Sequence, residues 1–236
     1  MALEIATDPD VHFLFDLLAW CAAGILARFV FAWRLKQTAA RSVSGIGVGY
    51  ALALAVGVVA GAWGFGTLGS DLTKPSHSLA GGLAGGIIGV ELYKAARGIT
   101  GSTGLVWVAP LALGIAVGRL GCLFAGLPDD TYGTPTSMPW AVDLGDGIGR
   151  HPVQIYESVA MLAFLAVYLA ALARRAAWTL SRAFYLFVIW YALQRFVWEF
   201  FKPYPDFVAG LNLFQLLALA MILYALIFDA RARRSL

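Results

Sequence analysis

The chain has 236 residues, 60% of them hydrophobic and only 13% charged, with a net charge of +3 and a mean hydropathy of +0.76. Soluble domains run nearer about half apolar and about a quarter charged, so a soluble fold would have too little interior for this apolar surface and lipid must take up the excess. Two cysteines, Cys21 and Cys122, both within or at the end of apolar stretches, make neither a disulfide framework nor a metal site, and nothing in the composition points to a cofactor, a nucleotide or nucleic acid.

The first eleven residues carry Glu4, Asp8 and Asp10 and no Lys or Arg, the reverse of a signal-peptide start, so the first apolar stretch is expected to stay as a helix. Seven stretches then reach the roughly 17–25 residues needed to cross a ~30 Å hydrocarbon core. They are Val11–Trp33, Ile46–Leu68, Leu79–Ala96, Leu105–Gly126, Ile155–Leu172, Ala183–Phe201 and Phe207–Phe228. Basic residues follow every other one: Arg34, Lys36 and Arg41; Lys94 and Arg97; Arg174, Arg175 and Arg182; Arg231, Arg233 and Arg234. Because Lys and Arg clusters stay cytoplasmic, the chain is predicted to be a single all-α membrane domain over 1–236. It has seven transmembrane helices, its N-terminus outside and its C-terminus in the cytoplasm. The long loop around 127–154 then lies outside, and its many Gly and Pro residues predict irregular structure.

Within the spans, Gly81, Gly82, Gly85, Gly86 and Gly89 line one helix face and permit close helix approach. Seven ionisable residues also sit there: Asp16, Arg28, Glu91, Arg119, Glu157, Arg195 and Glu199. Each costs at least ~2.5–3.5 kcal/mol near the bilayer centre unless it has a partner or a wet cavity. Asp16 and Arg28 suit snorkelling from span ends. Tyr191, Arg195 and Glu199 recur every four residues and form one polar stripe on an aromatic helix. Arg119 lies in Gly118-Arg119-Leu120-Gly121-Cys122, upstream of Gly126 and Gly133, and Arg150-His151-Pro152-Val153-Gln154-Ile155-Tyr156-Glu157 leads a turn into a helix. A guanidinium kept charged by a carboxylate is suited to phosphate, so these segments point to an anionic phospholipid at membrane depth.

The same segments resemble the prolipoprotein diacylglyceryl transferase family. Its G-R-x-G-N-F-x-N-G-E pattern is similar to Gly118-Arg119-Leu120-Gly121-Cys122-Leu123-Phe124-Ala125-Gly126, followed by Gly133-Thr134-Pro135-Thr136 and Pro139-Trp140. Its R-H-P-x-Q-L-Y-E resembles residues 150–157, and its Y-x-x-x-R-x-x-x-E-F-F-R-x-P-D resembles Tyr191, Arg195, Glu199-Phe200-Phe201-Lys202-Pro203 and a displaced Asp206. Gln215, opening the last helix, and Gly81-Gly82-Leu83 also fit.

The resemblance implies transfer of a diacylglyceryl group from phosphatidylglycerol to the lipobox cysteine of a prolipoprotein. The reaction would occur at the periplasmic face of the bacterial inner membrane, with glycerol phosphate leaving. It implies that Arg119 holds the lipid phosphate and that Arg195, set by Glu199 and Tyr191, stabilises charge on the departing phosphate. His151, Gln154, Tyr156 and Glu157 would support the site, Gly126 and Gly133 would shape the loop over it, and Gly81 and Gly82 would flank the lipid groove.

Three departures stand out. Ala80 occupies the place of the family's essential histidine, Cys122 replaces an asparagine, and Leu127 replaces a glutamate ahead of an insertion, Pro128–Tyr132. His77 is the candidate base, with a helix-cap or loop role equally open to it, and Asp129 or Asp130 could stand in for the lost carboxylate. Three readings follow: the family's transfer to prolipoprotein, transfer of a glyceryl-lipid group to another acceptor, and non-catalytic phospholipid binding or transport.

Overall fold

The computed structural model describes residues 2–36, 47–70 and 75–234. Arg41, the start of the second stretch at Ile46, and residues 71–74 of the next connection lie outside the described residues. The chain is mostly helical. Its long helices are α1 (Val11–Val30, prolonged by a π turn over Phe31–Leu35), α2 (Val48–Gly69), α3 (Leu79–Arg97), α4 (Val108–Ala125), α5 (Val153–Ala173), α6 (Ala183–Glu199) and α7 (Leu213–Arg234). One further helical turn covers Trp178–Ser181. Five of the long helices, α1, α2, α4, α5 and α7, are long and apolar enough to cross a membrane. Of the remaining two, α3 is glycine-rich with Glu91, Lys94 and Arg97, and α6 is only 17 residues long. Trp20, Ile25, Val48, Leu52, Val56 and Leu223 stand exposed on these helices, an apolar surface suited to lipid rather than water.

The chain divides into two compact units. The first comprises Met1–Leu35, Val106–Thr179 and Phe200–Pro203; the second comprises Lys36–Leu105, Leu180–Glu199 and Tyr204–Leu236.

In the first unit α1 packs on α4 and α4 on α5. Gly121 has no side chain to hold α1 away: a Cβ there would meet Phe15 at 2.6 Å and come within 3.6 Å of the His12 carbonyl. Phe15 then stacks on Phe124 at 5.4 Å, and Ser158 Oγ donates to the Ala116 carbonyl at 2.7 Å to tie α5 to α4. The 127–154 segment is more ordered than its composition predicts. β2 (Val142–Asp143) pairs in parallel with β1 (Leu3–Glu4) and antiparallel with β3 (Gly149–Arg150). Leu123, Val142 and Leu144 form a small core with Ile5, Leu127, Tyr132 and Ile155 against it. Most of the segment is irregular, as expected, and its short strands form because the N-terminal residues supply a pairing edge that the loop's own composition does not reveal.

In the second unit α2 and α3 make the closest helix contact. Gly57 and Gly61 of α2 face Gly81, Gly85 and Gly89 of α3, so that each glycine's missing Cβ is replaced by the partner's backbone. The sequence shows the α3 half of this interface; its α2 half was not recognised from the Gly57-x-x-x-Gly61 spacing. A methyl at Gly85 would collide with the Gly57 carbonyl and lie 2.7 Å from Gly61 Cα, whereas one at Gly82 would meet Ala62 Cβ at an ordinary 3.5 Å. Gly85→Ala is therefore expected to destabilise the protein by about 1–3 kcal/mol, and Gly82→Ala to leave it close to wild type. Thermal midpoints of the two variants in detergent check the contrast; equal midpoints would contradict it.

The last helix begins at Leu213, six residues later than the hydropathy predicts. Ala209 and Gly210 have φ of 53° and 74°, and a tight Val208–Leu211 bridge interrupts the run. Asn212 and Gln215 then close a reciprocal cap: Gln215 N–H donates to Asn212 Oδ1 and Asn212 N–H to Gln215 Oε1, both at 2.9 Å. This capping box fixes the true start of α7.

Candidate functional site

Arg119, Glu157, Arg195 and Glu199 are all ion-paired. In the first unit Arg119 sits in α4, almost wholly buried, with Nε 2.8 Å from Glu157 Oε2 of α5. The other carboxylate oxygen of Glu157 receives Lys202 Nζ at 2.9 Å, and the Lys202 side chain has no exposure at all. Glu157 thus bridges two cations from different parts of the chain. Lys202 was not singled out as a site residue, since nothing in a 45-residue separation links the two.

The 150–157 segment forms the wall beside this triad. Gln154 is buried and its amide lies 3.5 Å from Thr131 Oγ1. The Tyr156 hydroxyl accepts from Trp140 Nε1 at 2.8 Å and lies 3.3 Å from His151 Nδ1. His151 packs edge-on against Phe201 at 4.9 Å, while its carbonyl occupies the space a Cβ of Gly133 would need. Gly126 ends α4 with φ of 75°, and a side chain there would strike Thr7. Both glycines are therefore required by close approaches in the loop. Arg150, largely buried, clamps Asp146 through two bonds of 2.6 and 2.7 Å; this guanidinium holds the Asp146 carboxyl below the usual carboxylate range.

Cys122 is buried one turn after Arg119, whose Nη1 donates to Sγ at 3.6 Å. On its other side Sγ lies 3.6 Å from His12 Nε2 of α1. That nitrogen is also 3.3 Å from Asp129 Oδ1, and His12 Nδ1 is 3.1 Å from Asp16 Oδ2. The Asp129 carboxylate receives the Thr131 hydroxyl as well. Asp130 is exposed in a left-handed turn, φ 55°. The sequence reading treats Asp16 as a snorkelling residue and does not single out His12. Only the α1–α4 contact at Gly121 brings them to Cys122.

In the second unit Arg195 and Glu199 of α6 pair as their spacing predicts, Nη2 to Oε1 at 2.7 Å, with side chains 3% and 0% exposed. Asn212 Nδ2 donates to the other Glu199 oxygen at 3.1 Å, and the Arg195 guanidinium lies over the Phe214 ring at 5.5 Å. Tyr191 is buried on the same stripe and stacks on Phe187. The cap of α7 therefore also orients the carboxylate, a link that an Asn-x-x-Gln spacing before an apolar run could have signalled. His77 is exposed just ahead of the extended Ser78, which caps α3 by accepting from Gly81 N–H at 3.3 Å. Its ring lies 5.8 Å from Trp63. The helix thus starts after His77 rather than before it. Gly81 is consumed by the α2 contact, and Ala80 is fully buried.

Five apolar helices of membrane-spanning length, with Arg119 of one buried on Glu157 of another, define a multi-pass membrane protein that keeps guanidinium charge away from water. The family model for prolipoprotein diacylglyceryl transferase matches residues 14–230, and the chain belongs to that family. A phosphatidylglycerol–prolipoprotein diacylglyceryl transferase of Azospirillum brasilense is 32% identical over 92% of this chain and 91% of its own length. Proteins of the same name from Bordetella parapertussis and Geobacter sulfurreducens are 34% and 36% identical over 64% and 60% of this chain. The matched stretch spans only 60% and 57% of those two relatives. No solved structure matches the chain.

Proposed function

We propose that the chain is a seven-span inner-membrane transferase that moves a diacylglyceryl group from phosphatidylglycerol to the cysteine thiol of a prolipoprotein, working at the periplasmic face. The N-terminus is outside and the C-terminus cytoplasmic in this reading, in keeping with the alternation of basic connections, and the whole chain acts as one membrane domain. In the reaction the acceptor thiolate attacks the glyceryl carbon bonded to the phosphate oxygen. A carbon–sulfur bond forms, the carbon–oxygen bond breaks, and glycerol phosphate leaves with the electron pair. The thiol proton goes to a base, since the thiolate is the nucleophile.

The observation that carries this reading is that Arg119 and Arg195, the arginines of the shared motifs, are both nearly inaccessible in apolar helices and both ion-paired to motif carboxylates. A preset guanidinium meets developing phosphate charge without reorganising. Arg119 and Arg195 are the groups assigned to the phosphate, with Tyr191, Cys122, Gly126, Gly133, Gly81, Gly82, His151, Gln154, Tyr156 and Glu157 supporting them. His77 is assigned the base. Its exposed place ahead of α3 also favours a second reading, in which the acceptor is not a lipobox cysteine.

The test mixes purified protein with labelled phosphatidylglycerol and a lipobox peptide, with Arg119→Ala as blank. Lipidated peptide and released glycerol phosphate are expected, with His77→Gln slowing the reaction and altering its pH dependence. Bound phospholipid with an untouched peptide, from folded protein, would move the assignment to another acceptor or to a lipid binder.

A further inference from the structure

Two departures from the family pattern, Cys122 and the Pro128–Tyr132 insertion, meet in space through Asp129. Cys122 Sγ, His12 Nε2 and an Asp129 carboxylate oxygen lie within 4.8 Å of one another. Tetrahedral zinc, with Zn–S of ~2.3 Å and Zn–N or Zn–O of ~2.0–2.1 Å, sets sulfur and nitrogen about 3.6 Å apart and nitrogen and oxygen about 3.3 Å apart. His12 Nε2 is 3.6 Å from Cys122 Sγ and 3.3 Å from Asp129 Oδ1.

The atoms facing away from this centre are anchored as metal ligands usually are. His12 Nδ1 is held by Asp16 at 3.1 Å, the carboxylate–histidine arrangement that presents Nε2 as a donor to a cation. Asp129 Oδ2 is held by the Thr131 hydroxyl, which in turn lies 3.5 Å from the Gln154 amide. Arg119 also approaches the sulfur, at 3.6 Å, but its charge is met by Glu157 at 2.8 Å. One thiolate and one carboxylate balance a dication, and the neutral imidazole completes three protein ligands with a fourth position open. The His12 and Asp129 side chains are 28% and 15% exposed, which leaves a path for entry.

We propose that His12, Cys122 and Asp129 form a binding site for a divalent transition metal of the zinc type. The sulfur stands where the family pattern has asparagine, and the carboxylate comes from the inserted segment. A mixed N, S, O donor set selects such an ion over magnesium or calcium, which prefer oxygen alone.

Cobalt(II), titrated alone into chelator-stripped full-length protein in detergent, tests this. One ion per chain is expected, with a thiolate-to-cobalt charge-transfer band that equimolar zinc removes. Cys21→Ser should keep the band and Cys122→Ser should lose it. Asp16→Asn should weaken binding by about 10–100-fold. The wild-type titration decides by itself even where a variant fails to fold. Absence of the band, or a band lost with Cys21 instead of Cys122, overturns the proposal and leaves His12 as a hydrogen-bonded bridge between Asp16 and Asp129. No arm uses the transfer reaction, so failure here is distinct from failure of the proposed function.

Discussion

Arg195→Lys is expected to slow the proposed diacylglyceryl transfer by ~10²–10³-fold, the loss seen when one preset charge-stabilising donor is removed from a dry site, while the protein remains inserted and folded. Lysine keeps a positive charge beside Glu199, whose carboxylate is otherwise met in the structure by Asn212 at 3.1 Å, so the ion pair persists. What it lacks is the planar fork that matches a phosphate. Arg195→Ala is expected to abolish transfer too. It also takes the paired cation from a carboxylate with no exposure, at about 3–5 kcal/mol, so its loss of activity mixes chemistry with stability. Activity of each variant, measured beside its thermal midpoint, separates the two. A lysine variant within a few-fold of wild type would remove Arg195 from the transition state.

Glu157→Gln should produce a large loss of stability. Glu157 is the carboxylate between Arg119 at 2.8 Å and Lys202 at 2.9 Å, and both cations are buried. Removing it takes one carboxylate away from two buried cations, a penalty of about 3–5 kcal/mol and a fall in the thermal midpoint on the order of 10 °C. Adding Lys202→Met should recover part of that fall, because one of the two cations is gone while its apolar stem is replaced. If the double variant melts at or below the single one, Lys202 is not the second cation bridged by Glu157.

The sequence by itself determined the membrane class, because 60% apolar composition leaves no soluble alternative. It also determined the contacts within single helices. Arg195 and Glu199 had to share a face, since i and i+4 are neighbours on any helix. The glycines of α3 had to make a bare stripe for the same reason. Residue order also carried the family, through three motifs that survive in sequence.

Only the tertiary structure decided the rest. Glu157 could not be known to hold both Arg119 and Lys202, and Asn212 could not be known to reach Glu199, because no local period relates positions on different helices. The 127–154 loop gained its strands from the N-terminal Leu3–Glu4 edge, and His12 reached Cys122 only because Gly121 lets α1 approach α4. The last helix began late because a left-handed turn at Ala209 and Gly210 overrides a hydropathy that runs on through it. Periodicity along the chain reports which face a residue shares; which element lies against that face is settled by long-range packing.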